Sequence, residues 1–418
     1  MPYRIRNMNN EYKERLQSQE FQELKDRYRV VLKWATGCGK SKMVIDLINH
    51  AIDNFSFLKP VRVLFVVAER AHINNWQEEL EKWHLKMDRL MSDVICYASL
   101  KHMQDAKYDI VVFDEAHHCF TEKRMDIIRT IGSDYVYLLS ATLPAKKMDM
   151  MEEIYGKFTT STVTLKDAIK EDILPDPRVY VIQLELDDEK ANQEIRLNNP
   201  GKDAPVVKWK DKDRYMYNKN TPCIIKCTQK QKYIFLTTKM EYWKRRYQMS
   251  HNQYQHNQWV SLGSQRKRFL GEIKTPYAKS LVQTLKKHKR YVCFCASVDQ
   301  STDISHSTAI SSQKSSKQNQ EIIDAFNAGK IDEIYAVGMI TEGMNLNGIE
   351  AGVIIQLDGK ERLFVQKVGR VMRSDFPILY IFYYKSTQDE IYLKSALENI
   401  DTRFVRYHNV SEFYRNLK

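Results

Sequence analysis

Short apolar runs alternate with helix-like stretches in two separate parts of this 418-residue chain. The runs lie at residues 29–34, 61–68, 94–98, 108–114 and 135–141, and again at 290–296, 333–339, 351–357 and 378–384. Continuous apolar runs of this length are typical of strands buried on both faces of a parallel sheet, with helices as the connections. The pattern therefore predicts an α/β chain with two tandem parallel-sheet domains.

Positive charge is concentrated between these two parts. Between Lys190 and Arg290 there are 24 Lys and Arg against 6 Asp and Glu, a local charge of +18 in a chain whose net charge is +12. A concentrated basic patch is the electrostatic footprint of a protein that binds a phosphate backbone. A solvated, flexible basic insertion is the alternative that charge alone leaves open.

The first strand-like run leads into the sequence WATGCGKSKM. A phosphate-binding loop directs backbone N–H groups at phosphates from a strand-to-helix turn, and Gly37 and Gly39 provide the conformational freedom that this turn needs. Lys40 can reach the β- and γ-phosphates of a nucleotide, and the Ser41 hydroxyl can bind Mg²⁺. The general pattern begins with glycine, whereas Trp34 stands at that position.

A second motif, DEAHH, follows the apolar run YDIVVF. It places Asp114 and Glu115 at the carboxyl end of a strand, where open parallel sheets bind their ligands. Asp114 can hold Mg²⁺ while Glu115 orients and deprotonates a water molecule. The two motifs together predict a nucleotide- and Mg²⁺-binding site at which a phosphate is hydrolysed.

An ordered set of motifs resembles the superfamily 2 helicases and translocases. ATGCGKS is similar to their motif I, VLFVVAERAHINNWQEEL to motif Ia, DEAH to motif II, SAT to motif III, CFCAS to motif IV, MITEGMNL to motif V and QKVGRVMR to motif VI. The resemblance implies two RecA-like domains, and in motif I an alanine and a threonine lead into the glycines, so that Trp34 is no anomaly. No glutamine upstream has the surroundings of the adenine-reading motif of this family.

The resemblance also implies roles for individual residues. Thr36 and Cys38 join Gly37 and Gly39 around the nucleotide, Gly343 and Gln366 approach it from the second domain, and Arg370 and Arg373 stabilise the charge of the leaving phosphate. His117, Ser140, Thr142 and Asn345 are expected to couple the nucleotide to the nucleic acid. His118 is expected to be packed or solvated. We also expect Cys38 to favour the thiolate, because Lys40 and helix-terminal amides lie beside it.

The basic segment interleaves cations with aromatic residues, a mixture that suits unpaired bases and phosphates. The predicted nucleic-acid contacts are Trp243, Lys244, Arg245, Arg246, Arg266, Lys267 and Arg268. A small helical subdomain with the aromatic residues in its own core is the alternative, and the two can coexist.

We expect a monomeric DNA helicase or translocase that binds ATP and Mg²⁺. DEAH with a second histidine, and a motif VI close to GRVLR, resemble phage, restriction and repair-type DNA motors. The alternatives are an RNA helicase and an ATP-gated clamp or remodeller. No apolar run approaches the roughly 20 residues of a membrane span, and the first residues lack the core of a secretion signal. We therefore expect a cytoplasmic protein of a bacterium or a phage-infected host, without a membrane partner.

The predicted domains are 1–158, with motifs I to III, and 159–385, with motifs IV to VI and a basic insertion at about 187–271. A C-terminal helical segment is predicted at 386–418.

Overall fold

The computed structural model describes residues 10–54, 60–197, 223–287, 289–305, 307–337, 346–359, 364, 368–369, 371–372, 374–398 and 400–416. Its first unit contains helices α1 (Asn10–Leu24), α2 (Lys40–Asn54), α3 (Ala71–Lys82), α4 (Glu122–Ile128), α5 (Ala145–Tyr155) and α6 (Leu165–Lys170). The strands are β1 (Arg29–Trp34), β2 (Val61–Val67), β3 (Leu90–Cys96), β4 (Ile110–Phe113), β5 (Tyr135–Leu139) and β6 (Thr159–Val163). They form a parallel sheet in the order β3-β2-β4-β5-β1-β6.

The insertion follows β7 (Arg178–Leu184), which belongs to the second sheet. It contains an antiparallel pair, β8 (Gln193–Leu197) and β9 (Cys223–Cys227), and two long helices, α7 (Gln229–Ser250) and α8 (Gln253–Glu272). Thr228 caps α7 in a capping box with Gln231, and Asn252 caps α8, so each helix begins at a residue whose side chain accepts from free backbone N–H groups. The two helices pack together as a hairpin.

The remaining elements complete the second unit. Its helices are α9 (Thr275–Leu285), α10 (Val298–Ile304), α11 (Ser316–Asn327), α12 (Gln388–Leu397) and α13 (Val410–Asn416). Its other strands are β10 (Tyr291–Cys295), β11 (Ala309–Ile310), β12 (Glu333–Val337), β13 (Ala351–Ile354), β14 (Ile378–Tyr384) and β15 (Val405–Asn409). They form a second parallel sheet with β7, in the order β11-β12-β10-β13-β14-β7-β15.

The prediction of two tandem RecA-like parallel-sheet domains is confirmed, and the predicted C-terminal helices are present. One expected boundary needs correction, and the C-terminal segment contains a strand besides its helices. The boundary at residue 158 would detach β6, which pairs with β1 in the first sheet. The segment 386–418 is not helical throughout, because β15 pairs with β7 at the edge of the second sheet.

Apolar packing joins the two units. One cluster of buried residues contains Val30 and Leu32 of β1 together with Val292 of β10 and Val368 and Val371 near motif VI. Burial of such side chains is the dominant stabilising contribution to a folded core.

In the described part of the chain, no helix is both long and apolar enough to cross a membrane.

Candidate functional site

The phosphate loop lies between the end of β1 and the start of α2. Gly37 and Gly39 adopt left-handed φ angles of 96° and 91°, which residues with a Cβ atom rarely adopt. Trp34 is the last residue of β1 and is fully buried, and its indole N–H donates to the Ser161 hydroxyl of β6 at 2.7 Å. Trp34 therefore belongs to the strand, and the turn around the phosphates begins after it.

Lys40 and Ser41 are the first two residues of α2. The Lys40 ammonium donates to the backbone carbonyl of Trp34 at 2.9 Å, and both side chains are half-buried. The N-terminus of a helix favours anions because its free N–H groups point outward. The start of α2 thus combines free N–H groups, a cation and a hydroxyl, the set that a polyphosphate with a bound metal requires.

Two adjacent carboxylates follow β4. Asp114 Oδ1 accepts from the backbone N–H of Glu115 at 2.9 Å, and Asp114 Oδ2 accepts from the indole N–H of Trp76 at 2.8 Å. Burial raises the pKa of Asp114, and the neighbouring charge of Glu115 raises it further. A cation beside this carboxylate would favour its ionised form, which is the state that binds Mg²⁺.

Glu115 begins a short turn toward the next motif. Its backbone is left-handed, with φ of 46°, and strained conformations of this kind are found at functional sites. His117 Nδ1 lies 3.3 Å from Glu115 Oε2 and 3.4 Å from the Ser140 hydroxyl. Ser140 in turn donates to the Thr142 carbonyl at 3.1 Å. A continuous polar chain therefore runs from Glu115 to the SAT sequence.

The phosphate loop, the start of α2 and the two carboxylates surround one cavity of about 540 Å³. Its lining includes Thr36, Gly37, Gly39, Lys40, Ser41, Asp114 and Glu115. The structure thus brings the predicted phosphate-binding and metal-binding residues of the first unit together at the carboxyl edge of its sheet. Mg²⁺ fits this donor set, because the Ser41 hydroxyl and the Asp114 carboxylate supply the oxygen ligands that it prefers.

Two contributors to the cavity were missed at the level of sequence. Gln17 on α1 is buried and donates to the Cys38 carbonyl at 3.2 Å, and a Cβ atom on Gly39 would lie 2.0 Å from its amide nitrogen. Trp76 shares one buried face of α3 with Leu80, which is the sequence pattern of a packing residue. The polar end of each side chain was the available signal, because a buried amide or indole N–H needs a partner.

The expectation for Cys38 is wrong. The side chain is fully buried, and this burial raises the pKa of the Cys38 thiol to about 11 despite the charge of Lys40. Loss of hydration disfavours the thiolate more strongly than the lysine favours it. Cys38 is therefore a neutral packing residue beneath the loop.

The second unit reaches the phosphate loop near motif VI. A Cβ atom added at Gly369 would lie 2.5 Å from the Cβ atom of Thr36, so the two backbones approach closely. Asn347 also lines the cavity from the second unit. The predicted residues Gly343, Asn345, Gln366, Arg370 and Arg373 lie outside the described residues.

The helical hairpin contains both a core and an exposed basic surface. Phe235, Leu236, Leu262 and Phe269 form buried packing toward its base. Toward the turn, the half-buried ring of Trp243 lies 5.7 Å from that of Tyr254, and Tyr247 lies 5.9 Å from Trp259. Aromatic residues therefore pack on each other within the hairpin, as the alternative of a helical subdomain with its own core predicts.

The predicted nucleic-acid contacts of the hairpin fall into two groups. Lys244, Arg245, Arg246 and Arg268 are exposed. Arg266 is buried, and its guanidinium donates to Thr237 Oγ1 at 3.3 Å and to Gln388 Oε1 at 2.9 Å. The prediction for Arg266 is wrong, since these contacts fix the hairpin to α12. Lys267 is partly exposed and forms an ion pair with Asp358.

Two family models match this chain. The type III restriction enzyme res subunit matches residues 3–145, and the helicase conserved C-terminal domain matches residues 274–375. They fall within the first and second α/β units respectively, in the order of the sequence motifs. No curated protein sequence gives a match.

Solved structures share the fold at low sequence identity. S. cerevisiae Dbp5 bound to RNA and ADP BeF3 is 10% identical with a TM-score of 0.57, and the match covers 98% of this chain and 96% of that chain. Mss116p bound to ssRNA and AMP-PNP is 12% identical with a TM-score of 0.54, covering 91% and 71%. The type ISP restriction-modification enzyme LlaBIII bound to DNA is 14% identical with a TM-score of 0.55, covering 100% of this chain and 32% of that one.

Proposed function

Because the chain belongs to the superfamily 2 helicases, we propose that it is an ATP- and Mg²⁺-dependent DNA helicase or translocase. The observation that carries the proposal is the cavity at the carboxyl edge of the first sheet, where Lys40, Ser41, Asp114 and Glu115 meet. The proposal is supported by Gly369, which precedes Arg370 in the sequence and lies close to Thr36 of the same loop.

Within this cavity, the roles of the residues follow from their chemistry. The N–H groups around Gly37 and Gly39 bind phosphate oxygens, and Lys40 neutralises their charge. Ser41 and Asp114 hold Mg²⁺, which supplies Lewis-acid stabilisation of the transferring phosphoryl group when it is bound. Glu115 accepts a proton from the attacking water.

The geometry of the polar chain supports a coupling role for His117. Its Nδ1 atom lies within 3.5 Å of both Glu115, the proposed general base, and Ser140. A change in the charge or position of Glu115 therefore alters the contacts of His117 with the SAT sequence. We infer that Ser140, Thr142 and, from the second unit, Asn345 relay the nucleotide state to the nucleic acid.

Arg370 and Arg373 are proposed as the cations that complete the cleft. A phosphoryl group in transfer needs positive charge, and a finger from a second domain makes closure depend on the nucleotide. Gly343 and Gln366 are proposed to bind the nucleotide from the same side. Repeated closure of two domains on one strand would convert hydrolysis into movement.

DNA is the favoured substrate for two reasons. The family model of the first unit is a type III restriction enzyme subunit, and the motif sequences resemble those of DNA motors. The exposed cations of the hairpin, including Lys244, Arg245 and Arg246 beside half-buried aromatic rings, suit phosphates and unpaired bases. We further propose a monomer in the cytoplasm of a bacterium or a phage-infected host.

RNA is the second candidate, because Dbp5 and Mss116p are structures bound to RNA that share this fold. The deciding experiment is steady-state ATP hydrolysis without nucleic acid and with single-stranded, duplex or forked DNA or single-stranded RNA at one salt concentration. Stimulation by a DNA form supports the proposal. Preferential stimulation by RNA would identify RNA, rather than DNA, as the substrate. Hydrolysis that no nucleic acid changes would contradict a nucleic-acid motor.

Strand displacement distinguishes a motor from an ATP-gated clamp. A forked duplex with a labelled strand should be unwound, or a bound roadblock displaced, only with hydrolysable ATP. Binding that responds to ATP without either reaction would favour the clamp.

The role of the hairpin is tested by the salt dependence of DNA binding. Replacing Lys244, Arg245 and Arg246 with alanine should weaken binding to duplex DNA. The log–log salt slope should become shallower by about 0.9 for each phosphate that the variant no longer neutralises.

A matched variant removes three exposed lysines of the α/β units, Lys101, Lys317 and Lys330. Equal log–log salt slopes for the two triple variants would show that the hairpin cations do not contact DNA and that the hairpin has a structural role.

A further inference from the structure

Every side-chain oxygen of Asp114 has a directional donor. One comes from the backbone of Glu115 and the other, at 2.8 Å, from the indole N–H of Trp76 on α3. Trp76 is only 4% exposed, and the Tyr97 hydroxyl donates to the Asp114 backbone carbonyl at 3.0 Å. An indole nitrogen can only donate, so this contact is specific for a lone pair on a carboxylate oxygen.

The same face of α3 carries a second polar group. His72 precedes Trp76 by four residues, which places both on one side of the helix. Both line the cavity that contains Asp114. The imidazole is 3% exposed, and its Nε2 atom has no hydrogen-bond partner within the described part of the chain. Leaving such an atom unpaired is unfavourable, which indicates a partner that arrives with the ligand.

We propose that α3 provides the outer shell of the Mg²⁺–nucleotide site. Trp76 is a positioning residue that fixes the Asp114 carboxylate, and His72 bonds to a water molecule of the bound Mg²⁺. This inference rests on the proposed function, because it needs Mg²⁺ and a nucleotide in the cavity.

Outer-shell partners orient the groups that contact a metal, and their removal typically weakens metal binding about 10- to 100-fold. Trp76→Phe removes the donor and keeps an aromatic ring, and His72→Leu removes both ring nitrogens at similar volume. Each change should raise the Mg²⁺ concentration for half-maximal binding of a fluorescent, non-hydrolysable ATP analogue by about 10-fold. Binding of the analogue in EDTA should stay unchanged, which a general loss of packing would not predict.

The matched control is Trp83→Phe. Trp83 lies one residue beyond the end of α3 and lines the same cavity, but its indole N–H donates to Glu79 at 2.7 Å rather than to Asp114. Its half-maximal Mg²⁺ concentration should equal that of the wild type. If Trp76→Phe matches Trp83→Phe, the role of Trp76 is wrong, and if His72→Leu does so, the role of His72 is wrong. An equal decrease of affinity in EDTA would also overturn the proposal.

Failure of the proposed function gives a different result. Wild-type protein that binds no nucleotide, with or without Mg²⁺, would refute the ATP site and the outer shell together. Wild-type protein that binds with a clear Mg²⁺ dependence leaves the variants to decide on α3 alone.

A second measurement covers the case in which Trp76→Phe does not fold. The chain has six tryptophans, whose indole N–H signals can be resolved by nuclear magnetic resonance with ¹⁵N-labelled tryptophan. Trp→Phe variants at the other five positions assign the Trp76 signal by elimination. Adding Mg²⁺ to the nucleotide-bound wild type should shift this signal. An unshifted Trp76 signal at saturating Mg²⁺ would overturn the positioning role.

Discussion

Each parallel sheet carries a lysine and an aspartate at its carboxyl edge. The two side chains bond to other groups in the first unit, whereas in the second unit they form a buried ion pair. In the first unit, Lys40 is half-buried beside a cavity and donates to a backbone carbonyl, while Asp114 is held by Trp76. In the second, Lys274 and Asp389 are fully buried 2.6 Å apart, and Gln356 bonds to both of them.

The difference shows how similar residues become either a site or a support. Burial lowers the pKa of Lys274, and the charge of Asp389 opposes this shift. A buried ion pair whose members satisfy each other has no capacity left for a ligand. In the first unit, no ion pair between Lys40 and Asp114 closes the cavity, so their charges are available to phosphate and metal.

The largest effect is expected at the carboxyl edge of the first sheet, which borders the cavity and is called the open edge below. Lys40→Ala should abolish nucleotide binding and ATP turnover, because the variant lacks the ammonium that neutralises the phosphates at the loop. The melting temperature should change little, since the side chain is half-buried and makes a single hydrogen bond. Lys279→Ala removes a surface lysine paired with Asp303 and serves as the control. Retained ATP binding in Lys40→Ala would contradict the assignment of this edge.

Glu115→Gln separates binding from chemistry. Because an amide cannot accept the proton of the attacking water, kcat should fall by about 10²- to 10⁴-fold. The affinity for ATP should remain, since Lys40 and the loop are unchanged. Single-turnover hydrolysis and equilibrium binding measure the two quantities. Full hydrolysis by this variant would show that Glu115 is not the general base.

Substitutions of the buried Lys274–Asp389 pair at the second edge should lower the stability of the protein rather than its ATP turnover. Lys274→Ala leaves the Asp389 charge buried without its partner and should cost about 3–5 kcal/mol of stability. The double change Lys274→Met with Asp389→Leu removes both charges and should recover most of this loss. Urea unfolding monitored by circular dichroism gives both values. If Lys274→Ala kept full stability but lost ATP turnover, the second edge would be functional and the comparison would fail.

The strands and the phosphate loop were predictable because each depends on local sequence. Runs such as RVVLKW and ILYIFYY are rich in apolar residues and form β1 and β14 within the predicted bounds. The glycines of the loop were predictable from the turn that they must make, and their φ angles agree. Asp114 was predictable because a strand ends immediately before it.

Features that depend on distant contacts were missed. The strand β15 contains Arg406, Tyr407 and His408 and lacks an apolar run, and its strand conformation depends on pairing with β7. The helices of the hairpin have weak apolar periodicity, and aromatic residues of α7 pack on aromatic residues of α8. Arg266 lies between other basic residues in the sequence, and its bonds to Thr237 and to Gln388, 122 residues away, give it a structural role.

The smallest effect tests how far the open edge extends. The cavity is open at Lys40, whereas Cys38 two residues earlier is fully buried, with its thiol pKa raised to about 11. At pH 8 the thiolate fraction should be roughly 200-fold below that of a free cysteine with a pKa of about 8.5. Iodoacetamide labelling of Cys38, followed by mass spectrometry, should therefore be slow at pH 8 and rise steadily toward pH 11. The unfolded protein in urea provides the control. Labelling of the folded protein at the rate of the unfolded chain would mean that the loop opens readily. The solvent-accessible part of the cavity would then include Cys38.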